Sequence, residues 1–521
     1  MTLDERARTQ SQAQDLLDAA VTGRMSRRDV MRRGAALGLS LPVIGAILAA
    51  CGGDDDDDDV ASTPTTGGGA AMTPAAGMTP SAAMGTAAPE GTESPSTDAT
   101  ASPGMGSGGE MTMDNPPEVA NADAASAFSG AKLTYYGDGV GVGNDLDTAL
   151  AAKFTEATGI TIEVIPRPEQ ATETYALYQR AFQAKSADID VLMLDVIWPG
   201  AFAQHLTDLT EAMADVTDGW YPSIVGNNTI DGKLVGAPWF GDFGILYYRT
   251  DLLDKYGFDG PPTTWDELEE QARTIMEGEV AANANFTGYV YQGNAYEGLT
   301  CNALEWIASV GGGTIIEDGE VTIDNDEAAA ILDQIASWVG DISPTGVTAY
   351  TEEDARNAWQ GGNAAFMRNW PYAYSLAGAA DSAVAGNFDV GPLPAGDGQD
   401  PVGTLGGWQL AVSAYSDAPE AGIEFVKYMT SADVVKWRAI VGSFVPLVID
   451  VAEDPDVIAA QPYLENLASV VRVTRPSRET GEDYNQVSTE IFQGINEILN
   501  AGGGAEDVLP DIASRVERLV G

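Results

Sequence analysis

From Phe128 to the C-terminus, apolar and polar positions fall into short runs of two kinds that take turns along the chain. A β-type run at Lys132–Tyr136 is followed by a Gly-rich turn, Gly137–Gly143, and by a helical period over Leu146–Thr158. A second strand is expected at Thr161–Ile165 and a helix near Thr174–Ala184. Ile189–Leu194 is a continuous apolar run of the kind that marks a strand buried on both faces. This β-α-β-α-β order predicts a mostly parallel sheet with helices on its faces. Lys233–Trp239 and Gly244–Arg249 read as strands separated by a loop, Phe240-Gly241-Asp242-Phe243. Thr264-Trp265-Asp266-Glu267 is a capping box that opens a helix to about Glu277. Further helices fit Asn325–Val339, Glu352–Gln360, Ala418–Met429, Asp433–Val441, Tyr484–Asn500 and Ala505–Val520. Short strands fit Thr287–Gln292, Ala364–Arg368, Phe388–Pro392 and Trp408–Val412. The fold class is α/β. A stretch of this length exceeds what one hydrophobic core usually supports, so two lobes are expected.

The pattern is different upstream. Met25–Gly34 is basic, and Gly34–Ala50 is a weakly apolar, uncharged run ending Leu48-Ala49-Ala50-Cys51. A basic region, a short apolar core and small residues before a cysteine resemble a bacterial lipoprotein signal, in which the peptide is removed and Cys51 carries lipid. Ser26-Arg27-Arg28-Asp29-Val30-Met31 also resembles the twin-arginine export motif. A permanent membrane helix is the competing reading, but the run is short, rich in Gly and Ala and interrupted by Pro42. Gly52–Ala127 has no aromatic residue, no Leu or Ile, and no Lys or Arg. It cannot bury enough apolar surface to offset its chain entropy, so it is expected to be a disordered tether. The expected organisation is a signal at 1–50, a lipidated cysteine and stalk at 51–127, and a two-lobed domain at 128–521.

Charge narrows the function. The chain carries 26 Lys and Arg against 78 Asp and Glu, a net charge of −52. Such a polyanion repels nucleic-acid phosphates and anionic lipid, so no nucleic-acid partner is expected. Two cysteines, Cys51 and Cys301, make neither a disulfide framework nor a Cys-based zinc site, and the one histidine, His205, excludes a His-rich metal centre. No metal or cofactor is expected.

In open α/β sheets, ligands sit beyond the carboxyl ends of strands. That rule singles out Gly137–Asp145, Asp195–Trp198, Phe240-Gly241-Asp242, Tyr296-Glu297-Gly298 and Asn369–Tyr372, while Gly406-Gly407-Trp408 precedes its strand. Each offers a carboxylate or a flat aromatic. A sugar requires that pairing, because carboxylates accept hydrogen bonds from hydroxyls while aromatic faces cover the C–H faces of the ring. Blander readings stand beside these. Asp195 could cap the following helix, and Trp239, Trp306 and Trp338 read as core. His205 and Cys301 read as structural. Gly137–Gly143 lacks the G-x-G-x-x-G spacing of a dinucleotide loop, and Asp138 and Asp145 would oppose a pyrophosphate.

Five stretches together carry a resemblance: Asp195–Pro199 (DVIWP), Leu246–Leu253 (LYYRTDLL), Tyr296–Trp306 (YEGLTCNALEW), Ala364–Tyr374 (AAFMRNWPYAY) and Thr404–Val412 (TLGGWQLAV). They resemble the trehalose/maltose-binding branch of the family 1 extracellular solute-binding proteins of ABC sugar importers, over essentially all of Ala131–Gly521. The resemblance implies a hinged, two-lobed receptor with no enzymatic activity. It would work as a monomer, anchored on the outer face of the cell membrane, closing on a disaccharide and handing it to a permease. By motif, Asp195 and Asp242 would hydrogen-bond sugar hydroxyls and Glu297 would contribute from the other lobe. Trp370 and Tyr372 would stack on a ring, Gly407 and Trp408 would close the cleft, and Arg475 would donate to hydroxyls or the glycosidic region. Asp145 falls near a family carboxylate. Three departures bear on the ligand. Tyr175 stands where relatives commonly carry an Arg, Phe240 stands where they can place a Tyr, and Ser477–Asp483 intervenes after Arg475-Pro476. The alternatives are a secreted glycoside hydrolase using two of Asp195, Asp242 and Glu297, a receptor for a maltooligosaccharide or polyol, or a structural adhesin.

Overall fold

The computed structural model describes residues 111–467 and 470–521. The expected signal, Cys51 and the stalk as far as Glu110 lie outside the described residues.

The first lobe is built on a six-stranded sheet. Its strands are β1 (Lys132–Gly137), β2 (Thr161–Pro166), β3 (Val191–Asp195), β4 (Ala237–Phe243), β9 (Val402–Val412) and β10 (Val471–Val473). The order is β10-β9-β3-β1-β2, with β4 also paired to β9. β1 runs parallel to both β2 and β3, as the β-α-β-α-β pattern requires, with helices α1 (Gly143–Thr158) and α2 (Ala171–Gln183) as the crossovers. β3 is buried at every position, which is why its sequence shows no alternation. α1 turns Leu146, Leu150 and Phe154 onto the sheet and ends at Gly159, whose φ of 75° closes the helix in the left-handed conformation that glycine adopts without strain.

The second lobe carries a four-stranded sheet of β5 (Ile245–Arg249), β6 (Thr287–Val290), β7 (Ala364–Asn369) and β8 (Phe388–Gly391), in the order β8-β5-β7-β6. Around it lie α3 (Trp265–Glu279), α4 (Glu297–Ser309), α5 (Asp326–Ser337) and α6 (Glu352–Gln360). The Thr264/Glu267 capping box forms as read from the sequence. Helices α7 (Pro419–Met429) and α8 (Ala432–Gly442) return to the first lobe, and α9 (Tyr484–Ala501) and α10 (Ala505–Val520) pack back on α4 and α5. Apolar packing runs from one lobe into the other: one cluster joins the first-lobe core to Tyr247, Val290, Trp359, Met367 and Val390 of the second lobe, and a second cluster lies on the other face of the second-lobe sheet. Trp239, Trp306 and Trp338 are core, each no more than 1% exposed.

The chain passes between the lobes three times, at Phe243–Ile245, between β8 and β9, and between β10 and α9. A fully buried ion pair braces the first two passages. Arg368 of β7 grips both oxygens of Glu305 of α4, at 2.9 and 2.6 Å. The same carboxylate accepts the Thr404 N–H at 3.1 Å. At Gly244 a Cβ would lie 1.9 Å from Glu305 Oε1, so only glycine lets the passage run against this pair.

Two strands differ from the sequence reading. The expected strand at Lys233–Trp239 is broken, because Lys233–Leu234 forms a separate short hairpin with Thr229–Ile230. β4 then continues through Phe240-Gly241-Asp242-Phe243, which reads as a loop in the sequence. β9 begins six residues before the expected Trp408–Val412 strand's start. The two extensions stabilise each other, with Gly406 opposite Asp242 and Gly407 opposite Gly241. Glycine and aspartate are weak strand formers, and only tertiary pairing holds them in a sheet.

The ordered domain also begins earlier than the expected boundary at 127/128. Val119 and Ala125 are buried in the first-lobe core. Trp437 donates its indole N–H to Thr112 O at 2.9 Å, and Tyr428 donates its hydroxyl to Pro117 O at 2.8 Å. Asn121 donates to the backbone and side chain of Glu424 at 2.9 and 2.8 Å. A chain starting at Phe128 is therefore expected to be less stable than one starting at Met111 by about 2–4 kcal/mol, the scale of two buried side chains and a few hydrogen bonds. Parallel denaturant titrations of the two forms check this.

Candidate ligand-binding cleft

The carboxyl ends of β1, β2 and β3, the β4–β9 ladder and the facing ends of α4 and β7 surround one cleft. Its empty space is about 650 Å³, counted with its open mouth. Eight of the nine binding residues expected from sequence line it: Asp195, Asp242, Glu297, Trp370, Tyr372, Gly407, Trp408 and Arg475. Asp145 does not. It is exposed in the first turn of α1, and the turn before it delivers Asp138 to the cleft instead.

Trp370 is the aromatic platform. The Arg368 guanidinium lies 3.8 Å from its ring centroid, so one face is already covered. Its indole N–H donates to Glu352 at 3.3 Å, and the other oxygen of Glu352 accepts the Tyr296 hydroxyl at 2.6 Å. A Cβ at Gly406 would stand 3.3 Å from the Trp370 ring and 3.2 Å from Asp242 Cβ, so glycine brings the platform and the carboxylate together. Tyr372 is fixed by donating to Glu353 at 2.7 Å. Gly141, with φ of 55°, sits where a Cβ would be 2.6 Å from the Tyr372 ring, so the Gly-rich turn of the first lobe meets the aromatic of the second.

Asp242 is only 8% exposed, and its buried Oδ1 has no hydrogen-bond partner. Burial pushes its carboxyl well above the ordinary range, and the nearby Asp138 carboxylate adds to the shift. Asp195 and Glu297 are engaged differently. Arg475 donates to Glu297 at 2.8 Å and to Asp195 at 3.2 Å, bridging the two lobes. Glu297 also accepts the hydroxyls of Tyr484 and, at 2.7 Å, of Ser488. Asp195 accepts the Ile197 N–H at 3.3 Å, while the N-cap of the short helix that follows is Trp198. Asp195 therefore braces the turn before that helix without capping it. Gly407, at φ of 120°, would place a Cβ 2.6 Å from Phe240 O. It sets Trp408 edge-on to Trp198 at 5.5 Å.

Several lining residues escaped the sequence reading: Glu169, Glu352, Phe444 and above all Arg167, while Asp138 and Val140 lie in the Gly137–Asp145 turn that it singled out. Arg167 pairs with Asp138 at 3.2 Å and stacks 3.9 Å from the Trp408 ring centroid. The strand-end rule would have found it, since it follows β2 directly. Tyr175, flagged where relatives carry an Arg, packs against Phe202 and Trp198 and does not line the cleft. The Ser477–Gly481 segment borders a separate hollow behind Arg475. Cys301 is buried at the cleft wall, and burial pushes its thiol up, away from reactivity. His205 hydrogen-bonds Tyr415 at 2.7 Å and stacks on Phe182.

Residues 140–436 match the model of the bacterial extracellular solute-binding protein family. The chain belongs to that family. A probable ABC transporter-binding protein of Deinococcus radiodurans is 44% identical over 402 residues, covering 76% of this chain and 96% of the relative. The structure of maltose-bound MalE3 of T. maritima superposes with a TM-score of 0.70 at 38% identity, covering 75% of this chain and all of that one. A solute-binding protein from Thermotoga lettingae, bound with α-D-tagatose, gives a TM-score of 0.67 at 25% identity, again over 75% of this chain and all of the other. This solute-binding protein therefore shares the two-lobed α/β fold of sugar-binding relatives. Its family serves ABC transporters outside the cytoplasm and consists of binding proteins.

Below the cleft, Asp147 accepts the Tyr135 hydroxyl at 3.0 Å and the Asp138 N–H at 2.8 Å, and pairs with Arg438 at 3.3 Å. Burial, partly offset by Arg438, raises its carboxyl from 3.8 to about 6. The folded state thus binds more protons than the unfolded one between these values. The Asp147 contribution to stability is fully present below the lower value and is lost as pH rises through 6, a change on the order of 2–3 kcal/mol. Asp147→Asn should remove this part of the slope, so the stability advantage of the native chain over the variant should shrink from pH 4.5 to pH 7.5. Thermal or urea unfolding of both at the two pH values checks it.

Proposed function

We propose that the protein is a lipid-anchored receptor for a disaccharide of the trehalose or maltose type, which it passes to an ABC permease. The observation that carries this reading is the open face of Trp370 beside the unpartnered Asp242 carboxyl. One supplies a stacking surface for sugar C–H groups, the other an acceptor for hydroxyls. The cleft draws contacts from both lobes, and a ligand that satisfies them together favours closure by its differential affinity for the closed form. The maltose carried by the T. maritima relative supports the ligand class. Asp195, Glu297 and Arg475 act chiefly as an interlobe brace that presents the cleft wall. Tyr372, Gly407 and Trp408 shape the pocket around the bound ring.

Calorimetric titration with trehalose, maltose, sucrose, glucose and a maltooligosaccharide tests the reading. One disaccharide should bind at micromolar concentration or below and be recovered uncleaved, whereas cleavage would make the protein a hydrolase. Trp370→Ala and Asp242→Ala should each weaken that binding by about 1–3 kcal/mol, the scale of a lost aromatic face or an unpaired polar group. Unchanged affinity in both would remove these residues from the site.

The anchor is the lipid on Cys51 after signal removal. Cys51→Ala should shift the protein from the membrane fraction to the soluble one, and equal membrane retention of the variant would overturn this assignment.

A further inference from the structure

The cleft is electrically unbalanced. Six carboxylates line it (Asp138, Glu169, Asp195, Asp242, Glu297 and Glu352) against two guanidinium groups, Arg167 and Arg475. The charges behind the walls offset this only in part: Arg438 pairs with Asp147 and reaches Asp138 at 3.9 Å, and Arg368 lies behind Trp370 but is gripped by Glu305. Within the cleft Arg167 compensates Asp138, and Arg475 is shared between Asp195 and Glu297. Glu169 accepts the Thr351 hydroxyl at 2.7 Å and Glu352 has neutral donors from Tyr296 and Trp370. Asp242 Oδ1 is buried with no partner.

Asp242 and Glu352, neither of them in a salt bridge with an arginine or lysine among the described residues, flank one ring. Glu352 meets Trp370 through the indole N–H, and Gly406, opposite Asp242 in the β4–β9 ladder, lies against the ring carbons. A neutral sugar can donate hydroxyls to these acids but brings no charge. Closing over it would keep negative charge away from water without compensation, which is costly. Among the described residues no three His, Cys, Asp or Glu side chains are placed to hold a metal ion. The missing charge is therefore best supplied by an organic cation on the ligand itself.

We propose that the preferred ligand is a glycoside bearing a protonated amine, an amino sugar or amino-cyclitol unit, whose ammonium group sits beside Trp370 with Asp242 as its principal partner and Glu352 as its second. This inference rests on the sugar-receptor reading above and narrows its substrate class. Burial raises the carboxyls of both Asp242 and Glu352, so closure over a neutral sugar should draw in a proton. An ammonium group holds the carboxylates ionised and removes that uptake.

The test is calorimetric titration of the full chain at pH 7, in two buffers of different ionisation enthalpy. The probes are maltose, trehalose, their mono-amino derivatives with the amine at each ring position in turn, and the N-acetylated form of each derivative. At least one amino derivative should bind ten-fold or more tighter than both its neutral parent and its N-acetyl form, with smaller proton uptake. In Asp242→Asn the ratio of amine to parent affinity should fall to within two-fold. Amines that all bind no better than their parents would overturn this inference while leaving the sugar receptor standing. Binding of neither series would overturn both. A preference that survives in Asp242→Asn would overturn the assignment to Asp242. The N-acetyl comparison uses the native chain, so the amine preference is decided even if that variant does not fold.

Discussion

Arg475 holds the two halves of the binding wall together. Its guanidinium is 5% exposed as a residue and spans Asp195 at the end of β3 and Glu297 at the start of α4, one from each lobe. A buried charge must be paired, and removing one partner of such a set commonly costs about 3–5 kcal/mol because the remaining charge is stranded. The positions of β3, α4 and the passage between β10 and α9 are thus tied to one another by electrostatics. Apolar packing also joins the lobes, since Tyr247, Trp359 and Met367 of the second belong to the cluster of the first, and this triad, with Arg368–Glu305 beside it, adds charge pairing of fixed geometry where the lobes meet.

That frame works only because the backbone can come close to it. Gly244 lets a crossing strand run against the Glu305 carboxylate, Gly407 admits Trp408 next to the Phe240 carbonyl, and Gly406 brings Trp370 up to Asp242. At these three points a methyl group would push apart two groups whose proximity defines the cleft. The same glycines weaken the strand signal locally, which links the difficulty of reading β4 and β9 to their use.

The electrostatics of the chain work at two scales. A net charge of −52 spread over the sequence concerns solubility and the partners it repels. Among the described residues, every arginine that is nearly fully buried lies against a carboxylate: Arg167 with Asp138, Arg368 with Glu305, Arg438 with Asp147, and Arg475 with Asp195 and Glu297. Asp242 belongs to none of these pairs, and its buried Oδ1 has no hydrogen-bond partner. Unlike the unpartnered Tyr178, Tyr289 and Tyr291 hydroxyls, Asp242 lines the cleft, where a ligand can reach it.

Much was legible in the sequence because its causes are local or periodic. The β-α-β-α-β order, the Thr264/Glu267 cap, the helices of the C-terminal third and the core tryptophans follow from side-chain spacing alone. The strand-end rule also brought Asp195, Asp242, Glu297 and Trp370 to one cleft, because the carboxyl ends of strands converge wherever the sheet forms, whereas Trp408 arrives from within β9. Other features needed the folded chain. Asp145 and Asp138 lie in the same acidic turn, and only the helix rotation at Gly143 decides which one faces inward. Arg167 looks like a surface charge until packing seals it against Asp138, and Arg475, placed in the cleft by the family resemblance, meets its two carboxylate partners only in the folded chain. The segment from Met111 to Ala127 has a tether's composition, yet its backbone carbonyls meet Trp437 and Tyr428. Local propensity acts within a turn or two of the chain, while burial and charge pairing depend on residues hundreds of positions apart. That difference in range is what left the binding chemistry to the tertiary structure.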